Sequence, residues 1–506
     1  MWILKIHHII KTKQIKIIFF LLLTGLFSCQ DFLEESSQDE VIPSKVEDLD
    51  QLLAYEAYPR REKPLYPYLC MLDDDVEQYI SSNSGDADIT KKLSYIYLWG
   101  GRNSTSNQTM FEDFLNLTVN SYPRADIKVD SYETFYKMIA GCNVVIDMID
   151  EVSGETGTKN RVKGEALVLR SFHYFNLINL YAWPYNAPAA PKGNSQGIPL
   201  KLSSAIYPNT IVRSSVAQVY ASIIEDVEEG IRLLEHSQGS KFRIGVQAAH
   251  LLASRYYLFM ENWEKVIEHT GAIFDAYDGQ LPLFDMTAVQ YPETWDGLFP
   301  YPINFSNPEI LFFYGHKDEN ALVDININNR CLRASTSLTG SFQAGDQRLN
   351  AYLCNTSDAQ RKSSKINAEK FEFGYSLRLS EACLNRAEAY ARAAAGGKTE
   401  YLDKALSDLN LLRQYRILNH VPYAGADFNQ DASRVIEECK AERRREFNFE
   451  GMRWFDLRRY GMQAFRHPMD ESVQAGDEYE IEIPAASPRW VLPIMQIHKE
   501  SNPGLN

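Results

Sequence analysis

The sequence predicts an all-α protein, a scaffold of helical hairpins carrying long irregular loop insertions. Three observations predict it. Apolar residues recur at three- and four-residue steps in long stretches from about Val46 onward. Two of those stretches each read as a pair of helices separated by a short break. The regions 80–125 and 277–375 are rich in Asn, Ser, Gly, Pro and aromatics and have little helical period.

The chain begins with a different kind of segment. Residues 1–28 carry Lys5, Lys11, Lys13 and Lys16 and no acid, and then an apolar run from Ile17 to Phe27. That is a basic region followed by an apolar stretch about half the roughly 20 residues a membrane-crossing helix needs. The run ends Leu26-Phe27-Ser28-Cys29, which resembles a bacterial lipobox and predicts that Cys29 is acylated and becomes the mature N-terminus. Residues 29–45 then read as the acylated cysteine and an acidic tether, and 46–506 as one domain.

Composition narrows the class further. The 506 residues are 45% hydrophobic and 12% aromatic with a mean hydropathy of −0.33, which excludes a disordered chain and a multi-span membrane protein. With 52 basic against 67 acidic residues the net charge is −15, so no nucleic-acid partner is expected. Loss of the four signal lysines leaves a mature chain of charge −19, which anionic lipid repels, so the body is expected to stand off the membrane on its tether.

Within Val162 to Tyr181, Ala166, Leu169, His173, Leu177 and Leu180 share one face, while Phe172, Phe175 and Ile178 cover another. This helix is predicted to be buried on most sides, with His173 a hydrogen-bonded core residue. Ile244 to Ala276 places Ala248, Ala249 and Ala253 before Tyr256 and Tyr257, breaks at Glu261-Asn262, and resumes at Trp263. Ser376 to Leu418 repeats the plan around a Gly396-Gly397 break. Small residues alternating with aromatics let helices approach closely, as in tetratricopeptide-like hairpins. The 99 residues 277–375 separate the two pairs, so they must meet across an insertion.

Several motifs are set aside. Gly396-Gly397-Lys398-Thr399 lacks the first glycine and the preceding strand of a phosphate-binding loop and reads as a helix break. Asp73-Asp74-Asp75 with Glu77 lacks the glycine and terminal glutamate of a calcium loop and reads as a polar helix end or loop. The arginines 443, 444, 445, 453, 458 and 459 are expected to pair with Glu442, Glu446, Glu450 and Asp456 at helical spacing. Seven scattered cysteines show no metal-ligand spacing, and Cys142 and Cys383 read as buried thiols. No catalytic motif, metal or cofactor is expected.

The segment ERRREFNFEGMRWFDLRRYG, Glu442 to Gly461, resembles the C-terminal signature of the SusD/RagB family of nutrient-uptake outer-membrane lipoproteins. In the same order as in that family stand the CQDFLEE start at Cys29, Tyr136-x-x-Ile139-x-x-x-Asn143, Lys163 to Tyr185, Gly197 to Leu200, Arg378 to Ala393 and Trp490 to Asn506. The resemblance implies a SusD-like superhelix of tetratricopeptide-like hairpins. It implies a surface-exposed lipoprotein, anchored in the outer membrane by its N-terminal lipid, that binds oligosaccharide or polysaccharide fragments and delivers them to a SusC-like TonB-dependent transporter. A peptide-binding relative and a surface glycoside hydrolase are the alternatives. A sugar offers apolar C–H faces ringed by hydroxyls, so its site needs exposed rings beside polar groups. Trp99, Tyr291, Trp295 and Tyr301 are the stacking candidates in the two insertions, with Arg102, Asn103 and Asp296 as polar partners.

Overall fold

In a computed structural model the described residues are 43–59, 64–78, 129–187, 195–206, 210–294, 299–317, 319, 332–355, 361–367, 373–468, 480–483 and 487–505. Contacts divide the chain between Ser44 and Lys45, and every element below belongs to the second unit, Lys45–Asn506.

The principal helices are α1 (Val46–Leu52), α2 (Ser131–Met148), α3 (Thr156–Tyr181), α4 (Val216–Leu233), α5 (Val246–Phe259), α6 (Trp263–Asp275), α7 (Leu379–Ala395), α8 (Leu402–Arg413), α9 (Ala432–Phe447), α10 (Arg453–Arg459) and α11 (Gln496–Ser501). From α2 to α8 each helix packs on the next, and α9 packs on α7. The contact between α6 and α7 spans the 277–375 insertion, which is the meeting of separated hairpins that the sequence requires. Among the described residues no helix is long and apolar enough to cross a membrane.

Local chemistry explains where the hairpins turn. At the α5–α6 break Glu261 takes φ 59°, and the Asn262 side chain caps α6 by accepting from the Lys265 amide at 3.2 Å. Helix α4 opens with a reciprocal cap between Ser215 and Gln218. At Gly396-Gly397 helix α7 ends, with Gly397 at φ 110°, so this glycine pair is the expected helix break. Where α3 crosses α4, two glycines permit the approach: a Cβ on Gly230 would stand 2.5 Å from Val168 Cγ2, and one on Gly164 would stand 2.9 Å from Leu234 Cγ.

Helix α3 is buried along almost all of its length from Val162 onward. His173 within it is fully buried, and its Nε2 meets the Ala57 carbonyl at 2.8 Å. Cys142 and Cys383 are buried free thiols, as expected, and the other described cysteines are buried as well.

The insertion between α6 and α7 also contains strands that the sequence reading did not anticipate. Four antiparallel two-stranded pairs occur among the described residues: β1 (Val76–Gln78) with β3 (Leu332–Ala334), β2 (Ile310–Tyr314) with β6 (Tyr375–Arg378), β4 (Leu353–Asn355) with β5 (Arg361–Ser363), and β7 (Phe465–Pro468) with β8 (Glu480–Ile483). The β2–β6 pair leads directly into α7.

Candidate functional site

Strand β2 positions the aromatic surface of the insertion. Its Phe313 is fully buried and, with Ile303, Ile310 and Phe373, forms an apolar cluster separate from the main core. Two further rings cap that cluster from outside. Phe242, in the turn between α4 and α5, stands 5.5 Å from Phe305 and 6.2 Å from Phe313 between centroids, and Phe305 meets Phe313 edge-on at 5.6 Å. Phe242 is 39% exposed and Phe305 52%, so each presents ring surface to solvent.

Polar groups surround this ledge. The Lys241 ammonium donates to the carbonyls of Phe305 at 2.7 Å and Asn307 at 2.6 Å, and burial lowers its pKa. The Asn304 side-chain oxygen accepts from the Ser306 amide and hydroxyl, and the Ser240 hydroxyl accepts from the Phe242 amide. Exposed rings ringed by an amide, hydroxyls and an ammonium can stack on an apolar face and exchange hydrogen bonds around its edge.

Of the residues named from sequence, Cys29, Trp99, Arg102, Asn103, Trp295 and Asp296 lie outside the described residues. Tyr291 is only 6% exposed, so its ring offers no open face here. Its hydroxyl is buried without a hydrogen-bond partner, and burial raises its pKa against the opposing pull of Arg416. Tyr301 is half-buried and packs on the main core. Phe299 joins the two rings, 6.1 Å from Tyr291 and 5.3 Å from Tyr301. Phe305 belongs to the same aromatic-rich insertion. Phe242 escaped notice because it lies in a turn between two helices, where nothing in the composition marks a binding loop.

The aspartate triplet is bound up in ion pairs. Arg453 forks onto Asp74 at 2.6 and 2.8 Å, and Arg444 reaches Asp75 at 2.7 Å. Asp73 accepts the Asp75 amide at 2.9 Å, and burial together with the neighbouring Asp75 and Asp74 pushes its pKa well up. The three carboxylates approach within 4.8 Å of one another, the only such cluster of potential metal ligands among the described residues. Two guanidiniums already balance it, as a polar turn tied to the C-terminal signature.

The arginine cluster is intramolecular, but its expected partners need correction. Arg445 does pair with Glu442 and Arg459 with Asp456 at helical spacing. Glu446 instead takes Arg348, Arg378 and Arg416, and Glu450 takes Arg378 and Lys365. Arg443 bonds Asp456 from another helix, Arg459 forks onto Glu388 of α7, and Arg458 donates to the carbonyls of Asn179 and Ala182 at the end of α3. Fully buried charges require such closed pairing.

Fold and buried network together define an all-α scaffold of tetratricopeptide-like hairpins with loop-borne surfaces. The chain belongs to the SusD/RagB family. A family model described as "Starch-binding associating with outer membrane" matches residues 31–258, and the model described as "SusD family" matches residues 337–506. Among solved structures the fold resembles a SusD superfamily protein from Bacteroides thetaiotaomicron at 22% identity, covering 91% of this chain and 98% of that one with a TM-score of 0.64. It also resembles a putative sugar binding protein from Bacteroides vulgatus at 21% identity, covering 92% and 98% with a TM-score of 0.67. A SusD-like carbohydrate binding protein from the same species is similar at 17% identity, over 91% and 97%, with a TM-score of 0.61. No curated protein matches the chain.

Proposed function

We propose that this protein is an outer-membrane lipoprotein, anchored through Cys29, that binds oligosaccharide or polysaccharide fragments without cleaving them and passes them to a SusC-like TonB-dependent transporter. The observation that carries this reading is the match of residues 31–258 to a family described as starch-binding and associating with the outer membrane. The Phe242–Phe305 ledge supports it, because it offers exposed rings and polar neighbours in one place. The lipobox-like sequence before Cys29 supports the anchor. Trp99, Trp295, Arg102, Asn103 and Asp296 remain proposed ligand contacts from the insertions, alongside the half-buried Tyr301, whereas Tyr291 is buried.

Residues 30–506 applied to a glycan array, followed by calorimetry on the best ligand, test the binding role. Retained glycan is expected, with no product released on incubation. Product release would point to a glycosidase, and capture of peptides alone would point to the peptide-binding alternative. Co-purification from solubilised outer membranes tests the transporter pairing.

A further inference from the structure

Three helices of the superhelix meet at a chain of side chains that the binding role does not use. Glu228 on α4 accepts from the Tyr257 hydroxyl of α5 at 2.7 Å and lies 3.2 Å from Nε2 of His269 on α6. The Nδ1 of His269 lies 3.0 Å from the Nδ1 of His250 on α5, and the Tyr257 ring stacks on His269 at 5.4 Å and 15°. His269 is buried at 3% exposure, while His250 is half-buried.

The geometry dictates what can occupy the gap between the imidazoles. Their ring centroids are 5.3 Å apart, about as far as two such rings reach when their nitrogens meet head-on at 3.0 Å. A metal ion placed head-on between them would need nitrogens roughly 4 Å apart, given bonds of about 2.0–2.1 Å. A shared proton fits, and a metal does not.

We propose that Glu228, His269 and His250 form a single-proton joint that fastens α4, α5 and α6 and is unfastened when His250 is also protonated. His269 lies between a carboxylate and an accepting nitrogen, so as an imidazolium it donates at both ends and the chain takes one proton without losing a bond. A second proton on His250 sets two N–H groups head-on, and the pair must separate. Lys265 and Glu268 of α6 are the other charged groups near this pair, bonded to each other at 2.7 Å. Helix α7, packed on α6, turns Arg386 to Phe274 and Arg392 to Trp263 rather than to the histidines.

Burial and the neighbouring His269 hold His250 down at about 4, against the upward pull of Glu228 and Glu268. A histidine depressed in the fold takes up its proton more readily when unfolded. The joint's contribution is therefore present above the ordinary value near 6.5 and is lost as pH falls from there toward 4, by up to about tenfold per pH unit in the folding equilibrium.

The test is urea unfolding of residues 30–506 at pH steps from 7.5 to 4, with histidine-selective NMR titration of the same protein. Wild type should lose stability across pH 6.5 to 4 more steeply than His250→Asn, and His250 should titrate below 5. An unchanged slope in His250→Asn, or titration of His250 near 6.5, overturns the proposal. Stabilisation by zinc in wild type that is lost in His250→Asn would also overturn it, in favour of a metal site. None of these readouts depends on glycan binding.

Discussion

Arg255 of α5 forks onto Glu381 of α7, Nε to Oε1 at 2.7 Å and Nη2 to Oε2 at 2.6 Å, across 126 residues of sequence. Both side chains are almost fully buried, and Arg443 of α9 approaches the same carboxylate at 3.5 Å. The pair fixes the orientation in which the second hairpin meets the first, because a bidentate fork tolerates little rotation. Removing Glu381 leaves Arg255 buried without its carboxylate, and removing Arg255 leaves Glu381 only the longer contact with Arg443. Glu381→Gln or Arg255→Met should therefore lower unfolding free energy by roughly 3–5 kcal/mol, whereas Arg255→Met with Glu381→Leu should cost much less than the sum. Urea unfolding of the two single variants and the double variant measures the coupling.

The α3–α4 crossing tests packing without charge. A methyl at Gly230 would stand 2.5 Å from Val168 Cγ2 and 3.1 Å from the Gly164 carbonyl. Helix propensity favours alanine over glycine by about 1 kcal/mol, but overpacking costs about 1–3 kcal/mol. The clash should win, because the Gly164 backbone cannot yield by rotating a side chain. Gly230→Ala is expected to destabilise the protein in calorimetric melting. Adding Val168→Ala should recover part of the loss by removing the closer contact.

The aromatic ledge makes a prediction for binding. Phe305→Ala removes the more exposed ring, while Phe313 beneath it keeps its contacts with Phe242 and Phe373. Loss of one stacking ring at about 0.5–1.5 kcal/mol should weaken glycan affinity by roughly 2- to 12-fold with little effect on melting temperature. Trp99→Ala and Trp295→Ala, assayed beside it by calorimetry, apportion binding among the insertions. Unchanged affinity in all three variants would sink this site.

Particular residues show what the sequence could and could not reveal. The α5–α6 break was legible because Asn262 is a strong cap following a three- and four-step apolar pattern, and His173 was legible because it lies on an apolar face without a second ligand nearby. Ile310 to Tyr314 was not legible as a strand. A short apolar run fits either element, and its partner, Tyr375 to Arg378, lies some sixty residues away. Glu446 was expected to pair locally, yet three of its arginines come from positions 348, 378 and 416. Spacing along one helix cannot encode contacts that only the tertiary fold creates. Phe242 went unrecognised for the same reason, since Phe305 and Phe313 reach it from the distant insertion.

Acid sensitivity below the histidine range should come from the carboxylates of this buried network, and Glu388 isolates it. Burial, the largest single influence, raises its pKa, and Arg459, which forks onto it at 2.8 Å through both nitrogens, leads the opposing pull. Arg392 and Arg443 add to the pull, and the net result is a value of about 2. A carboxylate depressed in the fold contributes stability that is present above its unfolded value near 4.5 and is lost as pH falls through the folded one. Over that window the contribution is on the order of 3 kcal/mol. Glu388→Gln should therefore be less stable than wild type at pH 7, because Arg459 loses half its compensation, and its stability should fall less steeply between pH 4.5 and 2. Denaturant unfolding across that range measures both effects, and an unchanged slope below pH 4.5 would show that Glu388 is not a source of the acid transition.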